Sequence, residues 1–175
     1  MEREDLRIVK TRKVLKETFL DMRKEMPPEK IRVRELCKRA LVNKSTFYNH
    51  YEDIYQLSEE MENDAIREFL DRFEARDCFL SDPQRFLSEM PAAFDANMNL
   101  LNPLFRDRFD VAFLKLEEQL KKRYITPETS AEEEIRVTFL LNGALHTLRE
   151  LKYGKKYDNA LLADTVAAFI TVTRP

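Results

Sequence analysis

Six polar or basic residues crowd one short stretch of this 175-residue chain: Lys44, Ser45, Thr46, Tyr48, Asn49 and His50. Their types suit double-stranded DNA. Ammonium, hydroxyl and amide groups can reach base edges, and hydroxyl and imidazole groups can grip phosphates. Helical spacing turns Lys44, Ser45, Tyr48 and Asn49 outward and Phe47 inward, against Leu36 and Val42. Just upstream, Glu35 to Arg39 read as a first short helix and Ala40 to Val42 as a corner. Asn43 then reads as an N-cap whose side-chain oxygen accepts from a free backbone N–H, opening a second helix from Lys44 through Tyr51. Charge points the same way. Residues 1–50 hold 14 Lys/Arg against 8 Asp/Glu, a net of +6, while residues 51–175 hold 16 against 24, a net of −8. Across 30–50, Lys30, Arg32, Arg34, Lys38, Arg39 and Lys44 face only Glu35. A solvated surface with chance segregation is the plainer reading, but a basic patch around two such helices is what a DNA-binding head requires.

Other chemistry is missing. His50 and His146 belong to no His-x-x-x-His, His-Glu-x-x-His or Cys-rich metal pattern, so no metal is expected. His146, on a mostly apolar helix, reads as an interface or core imidazole. With two glycines in the chain there is no Gly-rich phosphate loop and no G-x-S-x-G nucleophile motif, so neither an enzyme nor a cofactor is expected. Cys37 and Cys78 fit a reducing cytoplasm, and Cys37 reads as a small buried hydrophobe rather than a redox sensor. No apolar run approaches the ~20 residues of a membrane span, and the charged start (Glu2, Arg3, Glu4, Asp5) lacks the apolar core of a signal peptide. The expected location is cytoplasmic, with no membrane partner.

From Arg32 to Leu57 the chain resembles the TetR/AcrR family of transcriptional regulators. Val33, Leu36, Cys37, Ala40, Val42, Asn43, Thr46, Phe47, Tyr48, His50, Tyr51 and Leu57 fall in step with its helix-turn-helix pattern, and the T-F-Y-x-H-Y core at Thr46 to Tyr51 is the specific part. Three positions depart from it. Arg32 replaces the Thr that usually caps the first helix. Leu41 replaces the turn Gly, from which a corner avoiding positive φ is expected. Ile54 replaces a Lys that commonly touches a phosphate. The resemblance implies an all-α fold, with an N-terminal three-helix DNA-binding head at 1–52 and a helical regulatory and dimerisation body at 53–175.

Those residues need elements to carry them. Ile8, Thr11, Leu15, Phe19, Met22 and Met26 form one stripe of a helix from Leu6 to Met26, stopped by Pro27 and Pro28; Lys10 is a candidate phosphate contact. Ile54, Leu57, Met61, Ala65, Phe69 and Phe73 predict a helix from Asp53 to about Arg76, roughly 35 Å long at 1.5 Å per residue, linking head to body. Next comes a helix over 83–97 with Leu87, Met90 and Phe94 inward and a kink or break at Pro91. Asn102-Pro103 reads as the N-cap and first residue of a helix carrying Phe105, Phe109, Phe113, Leu116 and Leu120 to Tyr124. Thr129 or Ser130 should cap a helix through Val137, Leu141, Ala144, Leu148 and Leu151, with Glu132 to Glu134 in its first turn and Gly154 as its stop. A last helix begins near Asn159 and carries Leu162, Thr165, Val166 and Phe169.

Gly143 in mid-helix is unfavourable by about 1 kcal/mol against Ala. With Ala144 it makes a small-residue patch. The segment 139–151 resembles the penultimate helix of TetR-family proteins, where a Gly-Ala pair sits in a two-fold interface; packing within the chain is the alternative. The interface residues expected are Leu140, Gly143, Ala144, Thr147, Val166 and Phe169. The expected DNA contacts are Arg32, Arg34, Lys44, Ser45, Thr46, Tyr48, Asn49 and His50. Phe94, Phe105, Phe109 and Phe113 are candidate walls for a small-molecule effector, and they read equally well as core. The reading is a sequence-specific homodimeric regulator, more in keeping with a repressor, with an operator duplex as partner. The alternative is a protein-interaction module or co-activator on the same fold.

Overall fold

The computed structural model describes residues 2–106, 108–152 and 158–172. Among these residues all regular structure is helical. The chain divides into two compact units, Met1–Asp64 and Ala65–Pro175.

The first unit holds α1 (Glu2–Glu25), α2 (Val33–Arg39), α3 (Lys44–Tyr48) and the start of α4 (Ile54–Arg72). Leu15, Phe19 and Met22 of α1 are buried, together with Leu36 and Cys37 of α2, Phe47 of α3 and Ile54, Leu57 and Met61 of α4. Ile8 does not join this stripe: residues 6–10 are all exposed, so the inward face of α1 begins only near Thr11. Pro27 and Pro28 end α1 as expected, and Pro28–Lys30 form one 3-10 turn. Asp53 starts α4, its carboxylate accepting from Gln56 N at 2.8 Å while the Gln56 side chain accepts from Glu52 N at 2.7 Å. This reciprocal cap satisfies two N–H groups of the helix start.

An ion-pair network ties α1 to α4 within this unit. Arg12 lies 2.6 Å from Glu60, and Lys16 lies 2.5 Å from Glu60 and 2.6 Å from Asp64. The Arg12 guanidinium also stands over the Tyr51 ring, 5.7 Å from its centroid. Burial alone would raise the Glu60 carboxyl, but hydrogen bonds from Lys16 and Arg12 outweigh it and hold the carboxyl below its usual range.

The second unit holds the rest of α4, then α5 (Pro83–Ala96), α6 (Met98–Phe105), α7 (Phe109–Tyr124), α8 (Ala131–Lys152) and α9 (Asn159–Val172). Phe69, Phe73, Phe79, Phe86 and Phe94 form its aromatic core, with Phe69 and Phe94 centroids 4.7 Å apart. Tyr124 fastens the end of α7 to the stretch after α4. Its hydroxyl donates to Arg76 O at 2.8 Å and accepts from Phe79 N at 3.0 Å, and burial pushes its pKa up to about 12.

Several boundaries differ from expectation. Helix α4 ends at Arg72 and a 3-10 turn, Glu74–Asp77, follows, which shortens α4 to about 28 Å at 1.5 Å per residue. Helix α5 runs through Pro91 as one segment, capped by Asp82, whose carboxylate accepts from Arg85 N at 3.1 Å. Asn102-Pro103 does not open a helix. Pro103 lies inside α6, and the helix expected to span 103–124 is two, α6 and α7. The junction is Asn97 instead, which ends α5 and precedes α6. Its amide accepts from Arg72 at 3.2 Å and donates to Ala93 O at 2.9 Å. Ser130 caps α8, accepting from Glu133 N at 3.2 Å. The expected stop at Gly154 lies outside the described residues.

Candidate nucleic-acid interface

Helix α3 is short, five residues against the eight expected, so Asn49 is its C-cap and His50 and Tyr51 lie beyond it. Phe47 is fully buried and anchors the helix, with the Tyr48 ring edge-on to it at 5.4 Å and Tyr51 at 5.7 Å. Above that anchor Lys44, Ser45, Tyr48 and Asn49 are exposed, and Thr46 and His50 are half-buried. Asn43 holds the N-cap position with extended backbone, but its side chain makes no cap hydrogen bond. Its side chain is exposed. Arg32 likewise precedes α2 without a side-chain cap.

The corner differs from the expectation that it avoids positive φ. Leu41 adopts φ 54°, in the left-handed region. The cause is backbone hydrogen bonding. Val42 N donates to Cys37 O at 2.9 Å and Leu41 N to Lys38 O at 3.4 Å, the paired bonds of a Schellman helix ending, which requires a left-handed residue between them. The motif needs that geometry whether or not glycine fills the position.

In the same unit, Lys30, Arg32, Arg34, Lys38 and Lys44 have no ion-pair partner among the described residues, whereas Arg39 is held by Glu35 at 3.1 Å and Glu25 at 3.4 Å. The patch is therefore a set of open cations on one small unit. Cys37 is buried beneath it, and burial pushes its thiol up despite the nearby Lys44 ammonium. Ile54 is buried in the core of the unit.

The second unit carries the remaining expected residues. Phe94 and Phe113 stack at 5.2 Å and line a cleft of about 230 Å³ together with Met90, Pro91, Asp95, Leu148 and Leu151. Phe105 is fully buried, and neither it nor Phe109 is among the lining residues. Leu140 and Ala144 are buried by their own chain, Thr147 and Val166 are half-buried, and Gly143 and Phe169 are exposed. A side chain at Gly143 would meet nothing within 4 Å. Residues not singled out from the sequence stand out here: Ile135 and Phe139 on α8 and Leu161 and Val172 on α9 are all more than half exposed. Their helical registers place them off the buried stripes, but no motif marks them. His146 is exposed, its Nδ1 3.0 Å from the Arg149 guanidinium.

No protein-family model, no curated protein and no solved structure matches the chain. Among the described residues no helix is long and apolar enough to cross a membrane, and no group of three or more His, Cys, Asp or Glu is placed to hold a metal ion.

Proposed function

We propose that the chain is a sequence-specific DNA-binding transcriptional regulator that works as a homodimer, with α2 and α3 as a helix-turn-helix. One observation carries this reading. Lys44, Ser45, Tyr48 and the C-cap Asn49 stand exposed on a short helix whose only buried residue, Phe47, fixes it to the core, and the same unit carries cations without an ion-pair partner among the described residues. A surface that is rigid underneath and polar and cationic on top suits major-groove reading, because phosphate contacts set position and base-edge contacts set sequence.

The exposed apolar residues Ile135, Phe139, Phe169 and Val172 support a second copy as the partner of α8 and α9. Large exposed apolar side chains on neighbouring helices favour burial, and helix-turn-helix proteins usually read paired half-sites. The cleft beside Phe94 and Phe113 is the place for an effector. A 150 Å³ apolar cavity takes benzene, so about 230 Å³ suits a molecule of one substituted ring. Such a ligand would release DNA by binding better to a dimer whose two heads do not match the half-site spacing.

The test is selection of duplexes from a random pool by the full chain. An inverted repeat with half-sites separated by about one or two helical turns is expected. A pool that returns no preferred sequence, from a protein that does not bind duplex DNA at low salt, would leave the partner-module reading in its place.

A further inference from the structure

Leu41 sits in a backbone conformation that its own side chain disfavours. Its φ of 54° belongs to the region where a Cβ crowds the following carbonyl. The Schellman bonds to Cys37 O and Lys38 O demand the conformation, but nothing in them demands leucine. The side chain returns no packing to the chain, for it is 93% exposed, more than any other large hydrophobic residue described. A strained residue whose side chain is also unused by the fold points to a role outside the chain.

The surroundings say what that role is. Exposed Lys38 precedes Leu41, exposed Lys44 and Ser45 follow it, and neither lysine has an ion-pair partner among the described residues, whereas Arg39 is taken by Glu35 and Glu25. A lone isobutyl group among cations and hydroxyls is poorly placed for an apolar protein surface. It is well placed for a duplex whose phosphates meet those cations. On the major-groove edge of a base pair the one apolar feature is the C5-methyl of thymine. Taking both alkyl groups out of water is favourable in proportion to the area removed.

We infer that Leu41 is a specificity-determining residue that packs on a thymine methyl beside the base pairs read by Lys44 and Ser45. This rests on the DNA-binding reading. The test uses the full chain and a duplex selected by it. Each thymine is replaced in turn by deoxyuridine, which keeps every hydrogen-bonding group and removes only the methyl. One replacement per half-site should weaken the wild-type protein by about three- to tenfold, as expected for one small apolar contact, and should leave Leu41→Gly unaffected. Leu41→Gly should melt no lower than wild type, so its loss of preference is not unfolding, and Leu41→Met should retain the sensitivity. If no deoxyuridine affects the wild type while the duplex is still bound, this inference fails and DNA binding stands. Weakened binding by Leu41→Gly without any methyl dependence would also overturn the thymine assignment. If no duplex is bound at all, both readings fall.

Discussion

Lys44 and Phe47 are three residues apart and do opposite things, one fully buried and one exposed. Phe47→Ala should destabilise the first unit by about 3–5 kcal/mol, the usual cost of emptying an aromatic core site, and thermal melting would show it. Lys44→Ala should leave the melting temperature unchanged and reduce preference for the selected duplex by about 1–3 kcal/mol if it makes a good base contact. Tyr48→Phe and His50→Ala should weaken all duplexes alike, since backbone contacts carry little sequence information. Leu41→Gly should raise stability by about 0.5–1 kcal/mol. It removes roughly 1–2 kcal/mol of left-handed strain and gives part of that back as chain entropy in the unfolded state. Phe47 and Leu36 could be read from periodicity because burial repeats with the helix. The turn at Leu41 could not. Its geometry is set by the carbonyls of Cys37 and Lys38, and a sequence announces such geometry only when glycine fills the position.

At the scale of elements, the network of Arg12, Lys16, Glu60 and Asp64 holds α1 on α4 in the first unit. Glu60→Gln should reduce stability by about 1 kcal/mol, the upper range for partly exposed pairs, and high salt should shrink the difference. The pH dependence follows from the sign of the shift. The folded carboxyl titrates below its ordinary value of 4.5, so the network contributes fully above that pH and is lost as pH falls through the folded value. Melting temperatures measured from pH 7 to pH 3 should fall more steeply for wild type than for Glu60→Gln; parallel curves would show that Glu60 contributes nothing. Other element boundaries show what local signals carry. Ser130, one of two candidate caps with Thr129, was legible because a cap works through its nearest backbone N–H groups, whereas the cap at Asp82 was not read from the sequence. Asn102-Pro103 carried the same kind of signal and misled, because the junction is made at Asn97 by a hydrogen bond from Arg72, 25 residues earlier. That bond depends on packing, which no dipeptide records. Ile8 was misplaced for a related reason: periodicity marks a face, and whether anything covers that face is decided elsewhere in the fold.

For the molecule as a whole, the large apolar side chains exposed on α8 and α9 are Ile135, Phe139, Leu161, Phe169 and Val172, of which only Phe169 belongs to the expected interface set. Ala144 and Leu140 pack within the chain, while Ile135 and Phe139 stand out. Phe139→Glu should therefore give a monomer of unchanged helicity in sedimentation, and a wild type that is monomeric at micromolar concentration would remove the homodimer from the account. The central claim is that α3 reads DNA. The most direct measurement is binding of wild type, Lys44→Ala and His50→Ala to a selected and a scrambled duplex over a salt series. Wild type should lose affinity steeply with salt on both duplexes, because displaced counterions set that slope. Lys44→Ala should narrow the gap between the two duplexes, while His50→Ala should lower both curves together. If both variants bind the selected duplex as tightly as wild type while remaining folded, α3 is not the reading element.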